Sequence, residues 1–184
     1  VDRVYDGTTA AGLNLGAGQY AGLLAGDSLT LSAYSAEFAS ASAGLREVAV
    51  GSATLGGASA ANYVLAPAAT FAVTPATIAR RTLTTVDGAV SANKTYDGTA
   101  NASISVTGIT LGGILAGDSV AAAEATGSFA NKFVGTGKTV SIDSLSLVGP
   151  ASGNYQFVAG ATVVGQIQAD ISARTISSVT GVKA

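Results

Sequence analysis

The 184-residue chain has no cysteine, histidine, methionine or tryptophan. Without Cys there is no disulfide framework. Without Cys and His the common zinc, haem and iron–sulfur ligand sets are missing, and so is any Cys or His nucleophile or base. Charge is also scarce, with nine basic and eleven acidic residues and a net charge of −2. That balance offers no field to attract a phosphate backbone, which argues against nucleic acid as a partner. Aromatic residues make up 6% of the chain, thin for a surface that stacks sugars. No apolar run reaches 18 residues, so no membrane-spanning helix is expected. The opening residues Val1-Asp2-Arg3-Val4-Tyr5-Asp6 do not read as a signal peptide, and the expectation is a piece of a longer protein. What is abundant is small and apolar. Hydrophobic residues are 48% of the chain, enough for a packed core, and 24 glycines punctuate it.

An internal repeat organises the sequence. Tyr5-Asp6-Gly7-Thr8 recurs as Tyr96-Asp97-Gly98-Thr99, and Leu24-Ala25-Gly26-Asp27-Ser28 as Leu115-Ala116-Gly117-Asp118-Ser119, both at a shift of 91. Phe38-Ala39 returns as Phe129-Ala130 at 91, Asn62-Tyr63 as Asn154-Tyr155 at 92, and Arg81-Thr82 as Arg174-Thr175 at 93. Ordered anchors with single-residue slips define a tandem repeat. The expected organisation is a first repeat at 1–85, a linker at 86–93, a second repeat at 94–178 and the start of another linker at 179–184. At the shift of 93 the tail Thr175-Ile176-Ser177-Ser178-Val179-Thr180-Gly181 lies over Thr82-Leu83-Thr84-Thr85-Val86-Asp87-Gly88, which points to a longer tandem array in the parent protein.

Period-two alternation dominates, as in Ser28–Leu31, Thr139–Asp143, Ser144–Leu147 and the longer run Ile104–Leu111. The breaks are glycine-rich, at Gly12, Gly16, Gly18, Gly22 and Gly26, then Gly108, Gly112, Gly113 and Gly117. Many short strands joined by tight turns are expected, and long helices are not, since each Gly in a helix costs ~1 kcal/mol relative to Ala. The Ala run at Val120–Ala125 reads as strand by analogy with Leu29–Ser35. The fold class is mainly β: two β-rich domains of short-strand sandwich or β-grasp-like type, arranged as an elongated pair.

The candidate site residues are the repeated ones: Tyr5, Asp6 and Gly7 with Tyr96, Asp97 and Gly98, then Asp27 and Asp118, Asn62 and Tyr63, and Asn154 and Tyr155. An Asp beside a Tyr ring can contact a small ligand or cation. The simpler reading is a turn, with Tyr in the core, Asp bonding the next backbone N–H groups and Gly supplying positive φ. Asp27 and Asp118 read as turn residues capping a strand start. Asn62 and Asn154 read as turn formers, and Tyr63 and Tyr155 as rings buried with their hydroxyls at a wet edge. Gly135-Thr136-Gly137-Lys138-Thr139 imitates the end of a phosphate loop. Lys132 stands where that loop needs its first Gly, so the stretch reads as a hairpin turn. Acidic residues are scattered, so no clustered calcium loop is expected, although a site of Asp with backbone carbonyls stays open. No cofactor and no catalytic residue is expected. Asn93-Lys94-Thr95 and Asn101-Ala102-Ser103 are formal glycosylation sequons.

These anchors resemble the YDG-type repeat domains of large bacterial surface exoproteins, similar to the filamentous-haemagglutinin class exported by two-partner secretion. The resemblance rests on Lys94-x-Tyr96-Asp97-Gly98-Thr99, Leu115-x-Gly117-Asp118, Phe129-Ala130-Asn131-Lys132-x-Val134-Gly135, the Gly149 loop with Asn154-Tyr155, and the closing segment Val73-Thr74-Pro75-Ala76-Thr77-Ile78. The first copy departs from it: Arg3 replaces Lys94, and Ala41-Ser42-Ala43-Gly44 replaces the Lys-x-Val-Gly stretch. Those departures bear on a shared charged site more than on the fold. The resemblance implies an extracellular, cell-surface repeat of an adhesin active in cell adhesion or biofilm formation, whose partners are the neighbouring repeats of its own chain. It implies no catalytic activity. The alternative is a module that binds polysaccharide or a host surface; a hydrolase is disfavoured by the absence of His and by the duplication.

Overall fold

The computed structural model describes residues 1–14, 20–66, 71, 74–158 and 162–182, with positions 33 and 162 described by backbone alone. Gly16, Gly18 and Val73 lie outside the described residues. The chain is mainly β, and among the described residues its helical content is two 3₁₀ turns, Ala60–Asn62 and Ser152–Asn154. It divides into two compact units, Val1–Arg80 and Arg81–Ala184.

Unit 1 contains β1 (Arg3–Val4), β2 (Thr30–Phe38), β3 (Gly44–Arg46), β4 (Val48–Gly56) and β5 (Ala76–Ala79). Strands β2 and β4 form a long antiparallel hairpin running from Thr30↔Gly56 to Phe38↔Val48. Strand β5 lies between β1, to which it is parallel, and β3, to which it is antiparallel. Alternation along β5 turns Ala76 and Ile78 inward, where they join Tyr5, Ala36 and Phe38 in the core.

Unit 2 contains β6 (Arg81–Thr82), β7 (Thr85–Asp87), β8 (Val90–Ser91), β9 (Lys94–Thr95), β10 (Asn101–Ser105), β11 (Thr110–Gly112), β12 (Ala121–Phe129), β13 (Gly135–Val148), β14 (Tyr155–Gln156), β15 (Thr162–Val163) and β16 (Ile167–Ser172). Six of these form one sheet in the order β8-β10-β12-β13-β16-β9, which curls into a half-barrel. A bulge helps to place its core. Thr126 pairs with Ser144 but Gly127 pairs with Ile142, leaving Asp143 as the extra residue. The slip lets Ile142 and Leu145, three apart, both face inward. They meet Val140, Phe129 and the alternating Ile167, Ala169 and Ile171 of β16.

Three expectations change. Residues 86–93, read as a linker, carry β7 and β8, and Val86 is wholly buried. The small polar residues around Val86 look linker-like, yet its side chain and that of Leu83 are core members, so the second unit starts at Arg81. The run Ile104–Leu111 is two strands, because Gly108 takes φ +83° in a turn closed by Ile109 N–H to Val106 C=O at 3.2 Å. The Gly-Thr-Gly-Lys-Thr stretch is no hairpin turn. It lies within β13, where the register against β16 slips between Gly135 and Lys138 and the Gly137 amide bonds Asp170 Oδ1 at 2.8 Å.

Candidate functional site

Two polar clusters recur, one in each unit, and together they hold most of the predicted residues. The first is built on the Tyr-Asp-Gly-Thr turn. In unit 2 Asp97 Oδ1 accepts the Thr99 amide at 2.8 Å and the Thr99 hydroxyl at 2.9 Å, while Gly98 takes φ +85°, which a side chain would strain. From β9, Lys94 Nζ donates to Asp97 Oδ1, Thr99 C=O and Asn101 C=O, each at 2.9 Å, and to Thr99 Oγ1 at 3.1 Å. The same ammonium lies 5.6 Å from the centre of the Phe129 ring. The Thr99 amide first, then Lys94 and the Thr99 hydroxyl, lower the Asp97 carboxyl to a pKa of about 2.

Unit 1 repeats this with a different cation. Asp6 Oδ1 accepts the Thr8 amide at 2.9 Å and the Thr8 hydroxyl at 2.8 Å. Arg3 reaches Asp6, Thr8 Oγ1 and Thr8 C=O, and its guanidinium carbon lies 5.1 Å from the Phe38 ring. The Asp6 carboxyl is likewise held below its ordinary value, chiefly by the Thr8 amide. The Lys-to-Arg change, which on sequence bears on a shared charged site, therefore leaves the cation in the same place. Tyr5 is buried and Tyr96 half-buried, each tied by its amide to the closing strand, at Ala79 and Ser172 respectively. The candidate residues read from sequence leave out Arg3, Lys94, Thr8, Thr99, Phe38 and Phe129 here; their recurrence at the shift of 91 was the available signal.

The second cluster joins two motifs that are far apart in sequence. Tyr155 is 2% exposed; its hydroxyl donates to Asp118 Oδ2 at 2.5 Å and accepts the Leu115 amide at 2.9 Å. Tyr63 makes the same pair with Asp27 Oδ2 at 2.5 Å and the Leu24 amide at 3.2 Å, and Ser59 Oγ donates to Asp27 Oδ1 at 3.0 Å. These hydrogen bonds, Tyr63 first and then Ser59, lower the Asp27 carboxyl's pKa, and Asp27 in turn raises that of the Tyr63 hydroxyl. The two aspartates thus do more than cap a strand, and the Tyr155 hydroxyl is not at a wet edge. Asn62 and Asn154 end the 3₁₀ turns that precede each Tyr, their amides bonding Ser59 C=O and Ala151 C=O at 3.0 Å.

Chemically, each cluster is a carboxylate bonded by donors from its own unit, with the Asp6 and Asp97 side chains still about half exposed at 48%. A shallow open depression is lined by Asn93, Lys94, Thr95, Asp170 and Ser172. Within it Asn93 Oδ1 accepts the Asp170 amide at 2.7 Å. Among the described residues no group of three or more carboxylates comes together as a metal site, and no helix is long and apolar enough to cross a membrane. The YDG domain family matches residues 1–70 and again residues 79–163, the second match opening close to the start of unit 2. No curated protein and no solved structure matches the chain.

Proposed function

We propose that this chain, which belongs to the YDG domain family, is a non-enzymatic spacer in a secreted or surface-attached bacterial adhesin. Its repeats would hold the adhesive part of the parent protein away from the cell and so support cell adhesion or biofilm formation. One observation carries the reading: the repeated polar residues spend their hydrogen bonds inside their own unit. Asp6 and Asp97 are taken up by Thr8 and Thr99 and by the nearby cation, Asp27 and Asp118 by Tyr63 and Tyr155. Duplicated internal bracing is what a scaffold repeat needs. The low charge and the absence of Cys suit a chain that is exported unfolded and folds without a redox step.

The test is replacement within the parent protein. Exchanging both units for an unrelated β spacer of similar length should leave adhesion intact, and the isolated chain should show no saturable binding on polysaccharide arrays or host cells. A Tyr96→Ala chain that melts like the parent but loses adhesion would make that ring a surface contact and replace the spacer reading with the polysaccharide- or host-surface-binding one.

A further inference from the structure

The chain has three Asp-Gly pairs, Asp6-Gly7, Asp87-Gly88 and Asp97-Gly98. In such a pair no side chain shields the glycine amide, so its nitrogen is the least hindered nucleophile that the main chain offers to the carboxyl group before it. The fold treats the three differently. Asp6 and Asp97 turn Oδ1 past the glycine to the amide of the next residue, Thr8 at 2.9 Å and Thr99 at 2.8 Å, and to the hydroxyl of the same threonine. Arg3 and Lys94 pair with the same carboxylates. Both groups are thereby held ionised, and an ionised carboxylate resists attack because it has no hydroxyl to lose as water.

Asp87 has neither restraint. Its Oδ1 accepts the amide of Gly88 itself, at 2.7 Å, and among the described residues no hydroxyl and no cation bonds it. The Gly88 nitrogen therefore stands beside the carboxyl carbon, which is one bond behind that oxygen. Both residues are exposed at the end of β7, where the chain bends at Gly88, so water reaches them.

We propose that Asp87-Gly88 is a site of spontaneous main-chain modification in the folded protein, converting aspartate to isoaspartate through a cyclic imide, and that the turns of Asp6 and Asp97 protect the other two pairs. In the first step the Gly88 nitrogen bonds Asp87 Cγ, and a carboxyl oxygen leaves as water with the carboxyl proton and the amide proton. In the second step water opens the ring. Opening at the side-chain carbonyl restores Asp87; opening at the main-chain carbonyl leaves the chain running through Cγ, one carbon longer. That carbon enters a tight place. Asp87 pairs with Thr110 and the wholly buried Val86 with Leu111, while a Cβ on Gly88 would already lie 2.5 Å from the Gly108 C=O. The product loosens β7 from β11.

The test is to age the intact chain at neutral pH in water enriched in heavy oxygen, digest it, and map the label and the isoaspartyl peptides by mass spectrometry with electron-transfer fragmentation. Label and isoaspartate should accumulate at Asp87 several-fold faster than at Asp6 or Asp97. In concentrated urea the three pairs should react at similar rates, since each then presents the same Asp-Gly link without its turn. Asp87→Glu, whose imide would need a larger ring, should carry no label at that position and leave the other two unchanged. Equal rates at the three pairs in the folded chain overturn the proposal, as does a slower rate at Asp87. A preference for Asp87 that persists undiminished in urea overturns it too, because the selectivity would then belong to the local sequence and not to the fold.

Discussion

The Tyr155 hydroxyl lies 2.5 Å from Asp118 Oδ2, joining residues 37 apart in sequence. It also takes the Leu115 amide. One phenol thus fixes the Leu-Ala-Gly-Asp turn against the strand that follows the Ser152–Asn154 turn. The ring of Tyr155 is buried, while its partners Asp118 and Leu115 are half-buried.

Tyr155→Phe is expected to destabilise unit 2 by roughly 1–3 kcal/mol, the range for losing a hydrogen bond to a charged group. Tyr155→Ala should cost more, about 3–5 kcal/mol, since the ring is also removed from the core. Tyr63→Phe should shift unit 1 less, because Tyr63 is only half-buried. Urea titration of each variant checks the order, and equal midpoints for Tyr155→Phe and the parent would refute the bracing role.

Acid should loosen the Tyr-Asp-Gly-Thr turns. The Asp97 carboxyl has a pKa of about 2, below its unfolded value near 3.8, and those of Asp6 and Asp27 are lowered as well. A depressed folded pKa gives stability that is complete above the unfolded value and is lost as pH falls through the folded one. Melting temperature should be flat above about pH 5 and fall between roughly pH 4 and pH 2. Asp97→Asn should lower stability at pH 7 and flatten the acid limb of unit 2. A variant with the parent's pH profile would show that the carboxylate contributes nothing to it.

Much of this was legible in the residues. Period-two alternation announced strands, and the doubled Tyr-Asp-Gly announced turns in which Asp bonds the backbone two residues on. What could not be read was who meets whom across a long loop. Nothing near Asp118 names Tyr155, because the pairing is set by where a 14-residue strand, β13, returns the chain. Val86 misled for a related reason. One apolar residue among Thr, Asp, Gly and Ser looks like linker until the sheet that covers it is known.

Lys94 and Arg3 give a sharper test of the first cluster. Arg3 already fills the place over Phe38 that Lys94 fills over Phe129. Lys94→Arg should accordingly keep the melting temperature near that of the parent. Lys94→Met keeps the stem but removes the charge, so the Asp97 pKa should rise toward 3.8, the value it departs from. Carboxyl chemical shifts followed through an acid titration read this directly. An unchanged Asp97 pKa in Lys94→Met would assign the whole depression to the Thr99 amide and hydroxyl.

Two glycines four residues apart separate close approach from mere turn composition. Gly149 has φ +113°, and a Cβ there would sit 2.4 Å from Ser119 C=O, a backbone atom that cannot swing away. That carbonyl also accepts the Ala151 amide at 3.3 Å, so pushing it aside disturbs the turn leading to Tyr155. Gly153 lies inside that turn with nothing within 4 Å of its Cβ position and no positive φ. Gly149→Ala should cost on the order of 3 kcal/mol from strain and contact together. Gly153→Ala should be neutral or stabilise by about 0.4–1 kcal/mol through the unfolded chain. Urea midpoints for the pair, measured side by side, decide it. If Gly149→Ala unfolds with the parent, the approach of the Gly149 backbone to Ser119 is not what fixes this end of unit 2.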